Sequence, residues 1–290
     1  MIPEWQAEKQ VLTEHRRAEA VAEYPYLWSQ ILSQWCQPGD DRAWMTYTAN
    51  YLFRTGGVRW ALDPLTLRQR LPGAPEVDPS GLSKLSFVLI THRHADHLDL
   101  GLVRALSQYP IRWVIPEQVL PEVLAHSALP ESQIITPHTL HPLLIDGIRI
   151  TPFDGLHWEP PSAAGGTPHG VPAMGYLVEF SGRRWLFPGD VRNYDLRLLP
   201  DFGLLDGVVA HLWLGRGAAL LDKPPLLEAF CSFFAGLPAR RLVVAHLHEL
   251  GRQVGDYWDE RHYNAAAARL HQLNPTIQIE LALMGQSFLL

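Results

Sequence analysis

Three histidines and one aspartate stand close together in the stretch His92-Arg93-His94-Ala95-Asp96-His97. Imidazole and carboxylate groups are the ligands by which proteins hold zinc, manganese or iron. A lone histidine is usually an ordinary hydrogen-bonding residue, but four such groups in a His-x-His-x-Asp-His spacing are hard to obtain by chance. The stretch therefore predicts a metal site.

The apolar run at residues 86–90 directly precedes this stretch and predicts a buried strand. Side chains on an extended chain alternate in direction, so His92 and His94 should point the same way. Asp96 and His97 break that alternation and should lie on a turn, or at the start of a helix over residues 98–107. Two pairs of ligands would then approach from different directions, as a site for two metal ions requires.

Further candidate ligands follow other predicted strands. His157 comes after a strand over residues 148–153, Asp190 follows a hairpin that ends at Phe187, and His246 follows a strand over residues 241–245. Asp63 ends a strand just before Pro64, where it could hydrogen-bond a ligand imidazole or simply form a turn. The chemistry is thus predicted at the rim of a sheet, on a rigid support.

Two of these positions have competitors. His169 lies in a loop rich in proline and glycine, and we prefer His157 because it follows an ordered strand. His248 could replace His246, since both would point the same way on an extended chain. The sequence leaves both choices open.

Composition narrows the possible functions. The chain has 290 residues, a net charge of -6 and a pI near 6.1, which makes a nucleic-acid partner unlikely without excluding a local basic pocket for one phosphate. Cys36 and Cys231 are the two cysteines, too few for a disulfide framework. The amino terminus lacks an apolar signal core, and no run is long and apolar enough to span a membrane. We therefore expect a cytoplasmic protein that acts on a small molecule.

The order of predicted elements indicates an α/β fold with a partly parallel sheet, because strands alternate with helices. Residues 1–42 are predicted to form a helical extension, ended by a turn at residues 38–41, and residues 43–290 to form the main domain. The extension is expected to pack on the main domain or on a partner subunit, so a homodimer is plausible.

The order of the candidate ligands resembles that of the metallo-β-lactamase superfamily over about residues 43–285. The matching positions are Asp63, the stretch Thr91 to His97, His157, Gly189-Asp190 and His246. The resemblance implies a four-layer αββα sandwich. The stretches around His157 and Asp190 are most similar to the branch that contains ascorbate-6-phosphate lactonase and N-acyl-phosphatidylethanolamine phospholipase D.

The resemblance also implies roles for the ligands. His92, His94 and His157 would hold one divalent ion, and Asp96, His97 and His246 a second. Asp190 would bridge the two ions, and Asp63 would hydrogen-bond the ligands from behind. Zinc is the expected metal, with manganese or iron as alternatives.

The implied activity is hydrolysis of a small ester, lactone or phosphodiester by a hydroxide that bridges the two ions. Asp96 is the expected catalytic residue, orienting the nucleophile or moving its proton. His169, His211 and Arg216 are candidate substrate contacts, and Trp213 lies beside the last two in sequence. The alternatives are an iron-dependent redox enzyme with the same ligands and a metal-binding scaffold without activity.

Overall fold

A computed structural model describes residues 4–159 and 169–290. Within these ranges the α-helices are α1 Glu4–Cys36, α2 Leu67–Arg70, α3 Leu100–Leu106, α4 Leu120–His126, α5 Leu227–Ala235 and α6 Glu260–Leu273. The strands are β1 Arg42–Met45, β2 Tyr51–Thr55, β3 Val58–Leu62, β4 Phe87–Leu89, β5 Arg112–Val114, β6 Ile134–Ile135, β7 Leu143–Ile145, β8 Ile148–Asp154, β9 Met174–Phe180, β10 Arg183–Phe187, β11 Gly207–His211, β12 Arg241–Ala245, β13 Gln278–Leu281 and β14 Ser287–Leu289.

The strands form two mixed sheets of seven strands each. The first sheet has the order β14-β1-β2-β3-β4-β5-β6, and β3 to β6 are parallel. The second has the order β13-β12-β11-β10-β9-β8-β7, and β10 to β13 are parallel. Each sheet therefore has a parallel half whose strands end at one common edge.

Both faces of each sheet are covered, which gives four layers in the order helix, sheet, sheet, helix. In β2, Leu52 faces the helical side while its neighbours Tyr51 and Phe53 pack between the sheets. In β12, Leu242 and Val244 likewise pack under the helices, while the alternate residues face the first sheet. Because side chains alternate along a strand, each strand contributes residues to two apolar layers, one under the helices and one between the sheets. The αββα sandwich expected from the sequence is confirmed.

The amino-terminal helix α1 packs on the outer face of the first sheet. Its residues Tyr24, Trp28, Ile31 and Trp35 recur at helical spacing and are buried. The Trp35 indole N–H donates to the carbonyl of Phe53 in β2 at 2.8 Å. Among the described residues, no helix has the length and apolar character needed to cross a membrane. The division of the chain at residue 42 into two domains stays a prediction.

Two elements have features that simple sequence patterns do not indicate. The helix α1 continues through Pro25, although proline lacks the N–H that a helix interior uses, because aromatic residues on both sides of it anchor the helix to the sheet. The end of the chain forms two short strands, β13 and β14, which belong to different sheets. The turn at Gly285, with φ of +83°, carries the chain from the second sheet to the first.

Two leucines test the location of the core. Leu186 in β10 is fully buried, whereas Leu144 in the edge strand β7 is 76% exposed. We expect Leu186→Ala to lower the free energy of unfolding by about 2–5 kcal/mol, and Leu144→Ala to change it by less than about 0.5 kcal/mol. Urea unfolding at fixed metal concentration measures both, and equal losses would contradict the layer assignment.

Candidate metal centre

The candidate ligands meet where the parallel halves of the two sheets end. Asp63 follows β3, and the histidine stretch follows β4. Asp190 and His246 follow β10 and β12 of the opposite sheet. The two edges are joined by main-chain hydrogen bonds from Met174 to Thr91 and from His246 to Thr48, of 2.9 and 2.8 Å. The fold thus brings residues far apart in sequence to one place.

Three imidazoles form the first ligand group. Nδ1 of His94 lies 3.1 Å from Nε2 of His92 and 3.0 Å from Nε2 of His157. One ring nitrogen carries a single proton or a single lone pair, so it cannot hydrogen-bond well to both neighbours. A cation between the three nitrogens would satisfy all of them, and these residues fit a metal ion.

A second group contains Asp96, His97 and His246, whose ligand atoms lie within 4.8 Å of one another. Nε2 of His97 is buried and makes no well-aligned hydrogen bond among the described residues, although Oδ1 of Asp190 lies 3.3 Å away. A buried ring nitrogen without a partner is costly unless something unseen binds it, and a metal ion would do so. These donors also fit a metal ion, which would have to displace Nη2 of Arg252 from its contacts of 3.1 Å with Asp96 and His246.

Asp190 lies between the two groups. It clusters with His92 and His97 on one side and with His211 and His246 on the other. Its Oδ1 is 3.3 Å from Nε2 of His97, so a carboxylate stands where a shared ligand is expected.

Asp63 and Asn50 hold the ligand stretch from behind. Asp63 accepts hydrogen bonds from the backbone N–H of Thr91 at 2.7 Å, from the Thr91 hydroxyl at 2.5 Å and from Nδ1 of His97 at 2.8 Å. The buried Asn50 amide donates to the carbonyls of Asp63 and Asp96. The bond to Nδ1 leaves Nε2 as the nitrogen of His97 that could bind a metal ion.

Burial and charge set the protonation states that metal binding needs. Burial lowers the pKa of His157 to about 3 and that of His246 to about 4, so both are neutral near pH 7. Burial alone would raise the pKa of Asp190, but the neighbouring His246 and His97 outweigh it and hold that pKa well below its usual value. Neutral imidazole and ionised carboxylate are the forms that bind metal ions.

The structure separates the two pairs of competing histidines. His169 is exposed and lies outside all the ligand groups found among the described residues, whereas His157 is buried within one. His246 and His248 do not point the same way, contrary to the sequence prediction. Both have positive φ, of 71° and 54°, so the chain there is not extended. Nδ1 of His248 pairs with the Tyr257 hydroxyl at 2.8 Å, away from the ligands.

The other candidate substrate contacts are placed differently from one another. His211 is buried, with Nδ1 2.9 Å from Asp190 and Nε2 3.0 Å from the Tyr51 hydroxyl, which does not fit a direct substrate contact. Its place behind Asp190 suits a residue that orients that carboxylate. Arg216 is half exposed and forms an ion pair with Glu159.

A family model described as the beta-lactamase superfamily domain matches residues 59–247. The chain belongs to the beta-lactamase superfamily. No match to its sequence was found among curated proteins.

Solved structures with this fold include members with different described activities. Igni18, a metallo hydrolase from Ignicoccus hospitalis, has a TM-score of 0.59 at 16% identity, over 86% of this chain and 97% of its own. CmlA, a diiron β-hydroxylase from Streptomyces venezuelae, has a TM-score of 0.60 at 16% identity, over 88% of this chain and 55% of its own. YhfI from Bacillus subtilis has a TM-score of 0.60 at 13% identity, over 86% of this chain and 99% of its own. At these identities the likeness is one of fold.

Sequence reasoning missed an arginine at the centre of this superfamily member. Nη2 of Arg252 lies 3.1 Å from Oδ2 of Asp96 and 3.1 Å from Nε2 of His246. Nε of Arg252 lies 3.5 Å from Oε2 of the buried Glu249 carboxylate. Glu249 also accepts hydrogen bonds from Arg70 and Tyr47. Arg252 lies six residues after His246 in sequence. No known motif has that spacing, so the sequence did not indicate a role for Arg252.

Replacement of Asp63 by Asn tests the support behind the ligands. An amide exchanges one acceptor oxygen for a donor, which would face the N–H of Thr91 or His97. We expect Asp63→Asn to weaken metal binding by about 10- to 100-fold, as measured by competition with a chelating dye.

The matched control is Asp99→Asn. Asp99 is equally buried and accepts hydrogen bonds from Thr66 and Leu102, but it contacts no histidine. It should lose stability and keep the parent metal affinity. Equal metal affinity in both variants would refute the role given to Asp63.

Proposed function

We propose that this protein is a dinuclear metal-dependent hydrolase that cleaves a small ester, lactone or phosphodiester. The observation that carries the proposal is the convergence of two ligand groups on one carboxylate, that of Asp190. The predominance of metal-dependent hydrolases among the structures of similar fold supports the reaction class. Zinc is the proposed metal, with manganese or iron as alternatives, because imidazole and carboxylate ligands without a thiolate suit all three.

Two divalent ions held by the histidines and by Asp96 and Asp190 would supply a hydroxide nucleophile near neutral pH and polarise the bond to be cleaved. The protein supplies position and charge. Asp63 and Asn50 fix the ligand stretch, and His211 orients the Asp190 carboxylate. Asp96 is the proposed catalytic residue, because one of its carboxylate oxygens can accept a proton while the other binds the metal ion.

Arg252 places a permanent positive charge against Asp96 and His246. A guanidinium there keeps Asp96 ionised and can stabilise negative charge that develops on the substrate. Burial alone would raise the pKa of Asp96, and the neighbouring His246, His97 and Arg252 reverse that shift. Asp96 is thus kept ionised in the resting site, the form in which a carboxylate binds a metal ion.

An iron-dependent redox enzyme is the second candidate. The same donor atoms hold iron as readily as zinc, and CmlA, of similar fold, is described as a diiron β-hydroxylase. A scaffold without activity is the third, and a complete ligand set argues against it. The similarity to the lactonase and phospholipase branch, the cytoplasmic location and the homodimer stay predictions.

Metal content separates these candidates. Protein purified without added metal or chelator should contain about two zinc or manganese ions per chain by elemental mass spectrometry. It should hydrolyse members of a panel of lactones, esters and phosphodiesters, and lose that activity on chelation. Two irons with a visible absorption band would favour redox chemistry. No metal, and none taken up on reconstitution, would refute the site.

Asp190→Ala tests the bridge between the ligand groups. Loss of the carboxylate should release at least one ion and lower kcat/KM by about 100-fold or more. Asp206→Ala is the control. Asp206 directly precedes strand β11, at the end of that strand opposite to His211 and the ligands. Full activity with two ions in Asp190→Ala would refute the proposed arrangement.

A further inference from the structure

Three arginines surround the indole ring of Trp213. The guanidinium carbons of Arg192, Arg252 and Arg216 lie 4.7, 5.7 and 5.9 Å from the ring centroid. We propose that this cluster is a subsite for an oxyanion carried by the substrate, a phosphate or a carboxylate, next to the metal centre. The proposal rests on the proposed hydrolase function and narrows its substrates to anionic esters, lactones or phosphodiesters.

Arg192 and Arg216 share one carboxylate, because the other carboxylate near them, Asp195, is paired with Arg197. Nη1 of Arg192 and Nη2 of Arg216 both donate to the same oxygen, Oε1 of Glu159, at 3.2 and 2.6 Å. One carboxylate therefore pairs with two guanidiniums. An oxyanion on the substrate would bind between the same two guanidiniums, beside Glu159. Planar guanidiniums match the geometry of phosphate and carboxylate oxygens, which makes arginine the usual residue in such sites.

Arg252 would add positive charge to this cluster once Asp96 binds a metal ion. Its partners are Asp96, which is a proposed metal ligand, and Glu249, which also pairs with Arg70. A metal ion on Asp96 would take up much of the negative charge that now balances Arg252. Nη1 of Arg252 is buried and lacks a hydrogen-bond partner within the described part of the chain. It is therefore a donor without an acceptor beside Trp213.

The cluster adjoins the metal centre directly. Arg192 is two residues beyond Asp190, and its backbone N–H donates at 2.8 Å to the carbonyl of Leu156, the residue before His157. One substrate could thus contact both the ligands and the arginines.

A cavity of about 500 Å³ beside Arg192, Trp213 and Arg216 provides the space. Its wall also includes Glu159, Asp195, Leu226 and Ala229. Asp195 is paired with Arg197, so the two arginines form a charged end next to an apolar wall. That combination suits a small molecule with one anionic group better than a long polymer.

Binding of simple anions tests the subsite without turnover. Titration calorimetry with inorganic phosphate, and separately with acetate, is done on metal-loaded protein whose metal content is measured for every variant. We expect Arg192→Gln to weaken binding by about tenfold and Arg216→Gln by about three- to tenfold, since each removes a charged hydrogen bond. Tighter binding of phosphate than acetate would identify a phosphate group, and the reverse a carboxylate.

Glu159→Gln should act in the opposite direction. It removes the internal carboxylate while keeping a similar shape, so phosphate should bind about threefold tighter. Arg240→Gln is the control, because Arg240 is an exposed arginine that pairs with Asp206. It should leave phosphate binding unchanged within about twofold.

Two results would overturn the subsite. One is parent-like phosphate binding in both arginine variants at unchanged metal content, which would mean that the ions alone hold the anion. The other is weaker phosphate binding in Glu159→Gln. The hydrolase proposal would fail separately. In that case the protein would show no turnover, while its phosphate affinity would still fall in the two arginine variants and rise in Glu159→Gln.

Discussion

The charge of one buried carboxylate organises the centre of this protein. Oδ1 of Asp190 lies within 3.4 Å of ring nitrogens of His97, His211 and His246. A buried carboxylate is tolerated only if positive charge or hydrogen bonds compensate its lost hydration. The surrounding imidazoles, Arg252 and the proposed ions all provide that compensation. The strand ends that carry these groups must therefore meet at one point.

The sandwich satisfies this requirement by bringing the parallel halves of its two sheets to a common edge. Aromatic packing between the sheets keeps those edges aligned. Phe53 stacks on Trp60 with ring centroids 3.8 Å apart, and Phe187 of the opposite sheet meets both rings edge-on. Such contacts specify a single arrangement of the layers. The polar site is thus positioned by a core that takes no part in its chemistry.

Much of the ligand stretch was predictable from sequence because its spacing is local. The alternation that places His92 and His94 on one side, and the break before Asp96, are properties of a few consecutive residues. The position of Arg252 was not predictable, since it depends on Glu249, Arg70 and Tyr47 meeting across the fold. The separate directions of His246 and His248 also escaped prediction, because positive φ at a histidine leaves no mark in sequence.

Each ligand group draws on both sheets. His92 and His94 follow β4 of the first sheet while His157 follows β8 of the second, and Asp96 and His97 are likewise separated from His246. An ion held by either group would be a crosslink between the two halves of the sandwich. Its binding free energy would then oppose separation of the sheets, so the metal would serve as a structural clamp as well as a reagent.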